Sequence, residues 1–434
     1  MITHLVNARL IDPADGYDGP GAVRIVDGVI DDVVRGTSPT PGEGEVIDCS
    51  GKPLAPGIVD MKVFIGEPGA RHRESYRSGG EAAAAGGITT LVAQPDTDPA
   101  LDDAALVQYA LGRAREACPV NVHVMGALTR GTEGREMTEQ AFLLDAGAVA
   151  LSDGDRAIGS AKVLRTCMTY ATALDALIVH HCQEPSLSAG ACATSGELAS
   201  RLGLPASPAL AERMMLERDL ALTEGTGARY HADQVTTAGA LPALSRAKAA
   251  GLAVSAGVSF HHLTLNEFDI ADYRTFFKLT PPLRAEDDRR AVIDAVASGL
   301  IDVIVSSHMP QDEETKRLPF EAAASGAIGL ETFLPACMAL VHEGHLDLPT
   351  LFARIAKRPA ELLGRPTGRL ARGAPADLIL FDPDAPFVLD RDTLRSRAKN
   401  TPFDRRTMQG RVLGTWVNGT RVFGGDAAGG CDAA

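Results

Sequence analysis

The residues best equipped for chemistry sit at the downstream ends of apolar, strand-like runs. They occur in Lys62-Val63-Phe64, Gln94-Pro95-Asp96-Thr97, Ser152-Asp153, His180-His181-Cys182, Gln234, His261-His262 and Ser307-His308. Histidine and aspartate gathered in this way could ligate a metal that acidifies a bound water. Such a centre needs about four to six His, Asp or carbamylated Lys ligands, and this set is thinner. Asp96, Asp153, His181 and His308 are the candidates for altered chemistry, although no nucleophile–base pair stands out. Neighbours on a strand point to opposite faces. Only one of His180 and His181 can therefore reach a common site, and His261-His262, ambiguous for the same reason, reads as a satisfied barrel-end pair. Cys182 reads as a small apolar filler with no base beside it.

The elements that must carry these residues alternate along the chain. Apolar runs at 58–64, 89–95, 121–129, 148–153, 176–182, 228–237, 252–263 and 301–308 are separated by helical patterns such as 207–224 and 286–298. In the first of these helices Ser207 is placed as N-cap and Pro208 at the first helical position. Near-continuous apolar strands alternating with helices imply parallel βα units buried on both faces. Eight of them predict an α/β protein built on a (β/α)8 TIM barrel, whose chemistry belongs at the C-terminal strand ends. The ends of the chain differ. Short strands punctuated by Gly, Pro and Asp occupy 4–11, 22–27, 29–34 and 45–48, and similar texture returns at 376–381 and 411–423. The reading is a small β-sandwich domain formed from both termini (1–52 plus 368–434) around a barrel at 53–367. A Gly/Ala-rich tail follows from Gly424.

Bulk properties narrow the partners and the compartment. A net charge of −14 argues against nucleic acid and anionic membrane surfaces. Seven cysteines (Cys49, Cys118, Cys167, Cys182, Cys192, Cys337, Cys431), an odd number without a CxxC pair, suit free and mostly buried thiols in a reducing compartment. No basic-then-apolar leader opens the sequence, and no run approaches the roughly 18 apolar residues of a membrane span. A cytoplasmic protein is expected.

The stretch Pro56-Gly-Ile-Val-Asp-Met-Lys-Val-Phe-Ile-Gly-Glu-Pro-Gly69 resembles the dihydroorotase signature PGxxDxHxHxREPG, within the amidohydrolase superfamily. Further agreement runs through Ala84-Ala85-Gly86-Gly87-Ile88-Thr89-Thr90, Leu202-Gly203-Leu204-Pro205, Tyr230-His231, Pro281-Pro282-Leu283-Arg284 and Ala327-Ile328-Gly329-Leu330-Glu331-Thr332. It reaches Asn400-Thr401-Pro402-Phe403. The resemblance implies a zinc-dependent barrel with a small β-sandwich. Its departures fall on the chemistry. The metal-binding histidines of HxH are replaced by Lys62 and Phe64. The metal-bridging aspartate of FSDDG survives as Asp153, the histidine of AHCED as His181, and the later histidine of YHxxHxST is Gln234. Where the family binds substrate stand Gly66, Asp96, Thr280 and Gln311, and Ser307 occupies the place of the catalytic aspartate.

These changes touch metal, base and substrate roles together, and they lead to the expectation of a catalytically inactive homologue that holds no metal. Lys62 is then expected to pair with Asp153 in place of the metal, with a carbamylated Lys62 as the other reading. Dihydroorotase-like chains without metal ligands assemble with aspartate transcarbamoylase. The resemblance thus implies a structural subunit for the transcarbamoylase catalytic chain in pyrimidine synthesis, itself a homodimer. The alternatives are an active cyclic-amide hydrolase, opening dihydroorotate to N-carbamoyl-aspartate with an atypical metal site, and a regulatory ligand-binding subunit.

Overall fold

A computed structural model of the chain describes residues 1–37, 40–270 and 272–424. Cys431 and the tail beyond Gly424 lie outside the described residues. The middle of the chain forms eight strands: β1 (Ile58–Val63), β2 (Ile88–Ala93), β3 (Asn121–Ala127), β4 (Ala150–Ser152), β5 (Leu177–His180), β6 (Arg229–Ala232), β7 (Val254–Ser259) and β8 (Val303–Val305). They lie in sequence order with parallel pairing throughout. A bridge from Val63 to His308 brings the last strand beside the first. This is the (β/α)8 barrel that the alternation predicts. All residues of β1 and β2 are buried, because one face fills the barrel while the other lies under helices. Val59, Met61, Val92, Met125, Leu177, Val179, Val303 and Val305 form the inner cluster. Ile58, Ile88, Leu91, Ile178 and Ile304 join the larger core shared with the helices.

The strands stop sooner than the apolar runs, and this frees polar residues for the barrel mouth. Only Arg229–Ala232 of the run 228–237 is strand. The run 252–263 breaks after Ser259 into the one-turn helix Phe260–Thr264, whose N-cap Ser259 accepts from His261 N–H. The long helix after β5 also begins later than expected. It spans Leu210–Thr226 with Ala209 at the N-cap, so Ser207 is not the cap. A residue before proline prefers extended backbone. Ser207 accordingly pairs with Thr194 in a two-stranded sheet.

The two termini build one eight-stranded sheet. Pro53–Pro56 pairs parallel with Ile2–Asp12 on one side and antiparallel with Leu378–Val388 on the other. This β-rich unit has its own core of Leu5, Leu10, Ile25, Leu54, Leu378 and Trp416. The six described cysteines are free and all but Cys118 are buried. Among the described residues no helix is long and apolar enough to cross a membrane.

Candidate active site

At the barrel mouth the ammonium of Lys62, the last but one residue of β1, lies between two carboxylates. Its Nζ is 2.6 Å from Asp155 Oδ1 in the loop after β4 and contacts Asp233 Oδ2 after β6. Lys62 and Asp233 are almost fully buried, while the Asp155 side chain is 22% exposed. Burial opposes the charge on Lys62, but the two carboxylates outweigh it and hold its pKa above the ordinary value. Asp233 responds in reverse. Burial would raise its pKa, and the Lys62 charge together with His181 brings it below the usual carboxylate range. His181 Nδ1 lies 3.9 Å from Asp155 Oδ1 and 3.8 Å from Asp233 Oδ2, buried and without a hydrogen-bond partner among the described residues.

Asp153 is therefore not the partner of Lys62 that the sequence suggests. Its Oδ1 accepts from Thr129 N–H at 2.9 Å and its Oδ2 from the Thr129 hydroxyl. Burial raises its pKa, partly offset by those bonds. Neither Asp155 nor Asp233 stands out in the sequence, yet both meet Lys62. The signal for them was available: a lysine inside a buried strand requires acids on neighbouring strand ends. The expectation of a chain that holds no metal is not supported either, since Asp155, His181 and Asp233 present ligand atoms within 4.8 Å of one another.

The other singled-out positions surround this cluster. Phe64 is buried, with the Arg73 guanidinium 4.4 Å from its ring centroid. Gly66 has no room for any side chain, because a Cβ there would lie 2.1 Å from Ala70 O. Gln234 donates to Ser307 Oγ at 3.2 Å and approaches Thr280 O at 3.5 Å. Gln311 donates to Ser325 O. His308 accepts from Gly329 N–H on Nδ1 and faces Glu74 through Nε2 at 3.4 Å. The loop that carries Asp233 and Gln234 hangs on buried Glu212. That carboxylate accepts from Thr236 N–H (2.8 Å), Thr237 N–H (2.9 Å) and the Thr237 hydroxyl (2.7 Å), and it pairs with Arg284 at 3.3 Å.

A cavity of about 260 Å³ opens above the cluster, lined among others by Asp96, Asp155, Arg156, His261, His262, Thr280, Ser307 and Gln311. Both His261 and His262 reach it, contrary to the strand argument, because they lie on a helical turn where neighbours are 100° rather than 180° apart. Burial pushes each imidazole down to about 3, so both rings are neutral. His262 Nε2 donates to Pro281 O at 3.0 Å, leaving Nδ1 as an acceptor. Burial, then the charge of Asp155, pushes the Asp96 carboxyl up to about 6. Asp96 Oδ1, Gln234 Oε1, His261 Nε2 and His262 Nδ1 are all buried without a hydrogen-bond partner among the described residues.

His180 points away from this cavity, as strand alternation requires for one of the pair. It forms a second candidate metal group with Cys182 and Asp219, but its polar atoms are already engaged. Asp219 takes His180 Nδ1 (2.7 Å), the Tyr230 hydroxyl (2.8 Å) and Arg218 (2.9 and 2.7 Å), while His180 Nε2 accepts from Ile158 N–H. Cys182 is more than apolar filler here, since its Sγ meets the Tyr230 hydroxyl at 3.0 Å.

Comparison with known proteins adds four findings. The family profile described as Dihydro-orotase-like matches residues 51–239. A protein named dihydroorotase from Syntrophus aciditrophicus (strain SB) is 38% identical over 419 residues, covering 96% of this chain and 98% of that one. Another of that name, from Anaeromyxobacter dehalogenans (strain 2CP-C), is 39% identical over 423 residues, covering 97% and 98%. Among solved structures, an L-hydantoinase (dihydropyrimidinase) from Arthrobacter aurescens superposes with a TM-score of 0.88 at 25% identity, over 97% of this chain and 96% of that one. These likenesses overturn the reading of a catalytically inactive assembly subunit: relatives matching nearly end to end carry the name of an enzyme.

Proposed function

Because this chain belongs to the dihydroorotase-like family, we propose that it hydrolyses a cyclic amide of the dihydropyrimidine class at the barrel mouth, through a cation site unlike the family's. The observation that carries this reading is a set of polar atoms, those of Asp96, His261 and His262, that line a cavity of about 260 Å³ and have no hydrogen-bond partner among the described residues. Buried polar groups without partners are costly, and a ring amide offers both a donor and an acceptor to offset that cost. The neutral His262 Nδ1 accepts a ring N–H. The Asp96 carboxylate, with its pKa near 6, takes a proton from the attacking water and returns it to the departing ring nitrogen.

The zinc pair implied by the family does not fit these residues. Phe64 offers no donor atom, Gln234 Nε2 is turned toward Ser307 and Thr280, and the Lys62 ammonium lies between the two carboxylates. Recognition of a substrate carboxylate has changed as well. Gly66 cannot carry an arginine, Asp96 is an acid, and Gln311 is engaged with Ser325 O. An uncharged ring is therefore preferred over one bearing a carboxylate. The test is ring opening of dihydroorotate, dihydrouracil and hydantoin, followed by chromatography of the N-carbamoyl products, without metal and with zinc, cobalt or manganese. Faster turnover of the uncharged rings supports the proposal. Failure to open any of the three under every condition overturns it.

A further inference from the structure

We infer that Lys62 is the resident cation of the barrel-mouth centre. Its ammonium holds the place of a divalent ion among Asp155, His181 and Asp233 and prevents those residues from binding one tightly.

The geometry of the three ligands is close to that of a metal tripod. For ligands about 2.1 Å from zinc, tetrahedral edges are about 3.4 Å. Here the edges from His181 Nδ1 are 3.9 Å to Asp155 Oδ1 and 3.8 Å to Asp233 Oδ2, within about half an ångström of that length, and all three ligand atoms lie within 4.8 Å of one another. His181 Nδ1 is buried and has no hydrogen-bond partner among the described residues. It is the position from which an imidazole would contribute its lone pair. The Lys62 Nζ already contacts both carboxylates. An ammonium and a divalent ion cannot share those oxygens, since they would repel strongly at such separation in a buried site.

Two bland readings are less complete. A simple buried ion pair accounts for Lys62 and one carboxylate but not for the second acid or the unpartnered imidazole. A saturated structural network is what His180, Cys182 and Asp219 form behind the same strand, and the barrel-mouth group lacks that saturation. This inference concerns what fills the centre, and it stands apart from the hydrolase reading because metal binding and turnover are separate readouts.

The test uses the full chain freed of metal and then titrated with zinc or cobalt(II) alone, comparing wild type with Lys62→Ala and Lys62→Gln. Both variants are expected to gain one site per chain, about 100-fold tighter than wild type, with a cobalt absorption band of low-symmetry coordination. Adding Asp233→Asn to Lys62→Ala is expected to remove that gain. Circular dichroism establishes that each variant is folded. Tight stoichiometric zinc in the wild type overturns the inference, as do folded variants that bind no more tightly than wild type. If neither variant folds, the wild-type titration decides: weak or absent zinc binding upholds the inference and tight binding refutes it. A chain that opens no ring yet shows the predicted metal gain refutes the proposed function and leaves this inference standing.

Discussion

Replacing Glu212 by glutamine measures how much the site depends on one buried carboxylate. Glu212 is fully buried and accepts from two backbone N–H groups and the Thr237 hydroxyl at 2.7–2.9 Å while pairing with Arg284 at 3.3 Å. A glutamine keeps the shape, but it turns two acceptor oxygens into one and presents an NH2 to groups that themselves donate. It also leaves the buried Arg284 guanidinium without its counter-charge. Breaking a buried pair on one side costs about 3–5 kcal/mol. Unfolding entropy of about 2.1 cal/mol/K per residue gives roughly 0.9 kcal/mol/K over 434 residues. The expected fall in Tm is thus about 3–6 °C for a cooperative transition. Scanning calorimetry of Glu212→Gln, Arg284→Met and the double variant is the assay. The double variant should lose at least about 1.5 kcal/mol less than the sum of the singles. A Tm within about 1 °C of wild type for Glu212→Gln, or simple additivity, would refute the claim that this pair holds the loop bearing Asp233 and Gln234.

Three further outcomes follow from the same geometry. If Asp96 takes the proton from water, kcat/KM rises with pH through about 6, because the carboxylate is the active form, and Asp96→Asn removes that limb. Lys316 is pushed down to about 7 by burial and by Lys278, so between about pH 7 and 10.5 the unfolded chain holds a proton that the folded chain lacks. Stability should increase with pH across that window, and Lys316→Met should flatten the rise in denaturant midpoints. Gly66→Ala would place a methyl 2.1 Å from Ala70 O; we expect a loss of about 1–3 kcal/mol, checked by urea unfolding, and a neutral result would show that this backbone segment yields easily.

The barrel was legible because its signal is local and repeated: a strand buried on both faces is a continuous apolar run, and eight such runs recur between helical patterns. The ends of the strands were less legible. Ser259 caps a turn of helix, so the rule that separates neighbouring histidines did not hold at His261 and His262. Ser207 pairs as strand instead of capping a helix. The contents of the site depend on contacts no sequence spacing displays. Asp155 and Asp233 are 78 positions apart (233 − 155) and meet only because β4, β5 and β6 are neighbours in the barrel. Counting lost family ligands at Lys62, Phe64 and Gln234, and the lost catalytic aspartate at Ser307, without seeing these acids led to the expectation of an inactive chain.

The sheet shared by the two termini also constrains how the molecule comes into being. Its middle strand, Pro53–Pro56, is hydrogen-bonded to Leu378–Val388, which lies 325 residues later (378 − 53). On a ribosome adding about 5–20 residues per second, that edge would wait about 15–65 s for its partner. During that interval an apolar strand beside Ile2–Asp12 presents unpaired N–H and C=O groups, a template for pairing with other chains. Truncation before Leu378 would make the exposure permanent. Loss of the C-terminal strands should therefore appear first as aggregation of nascent protein, ahead of any defect at the barrel mouth.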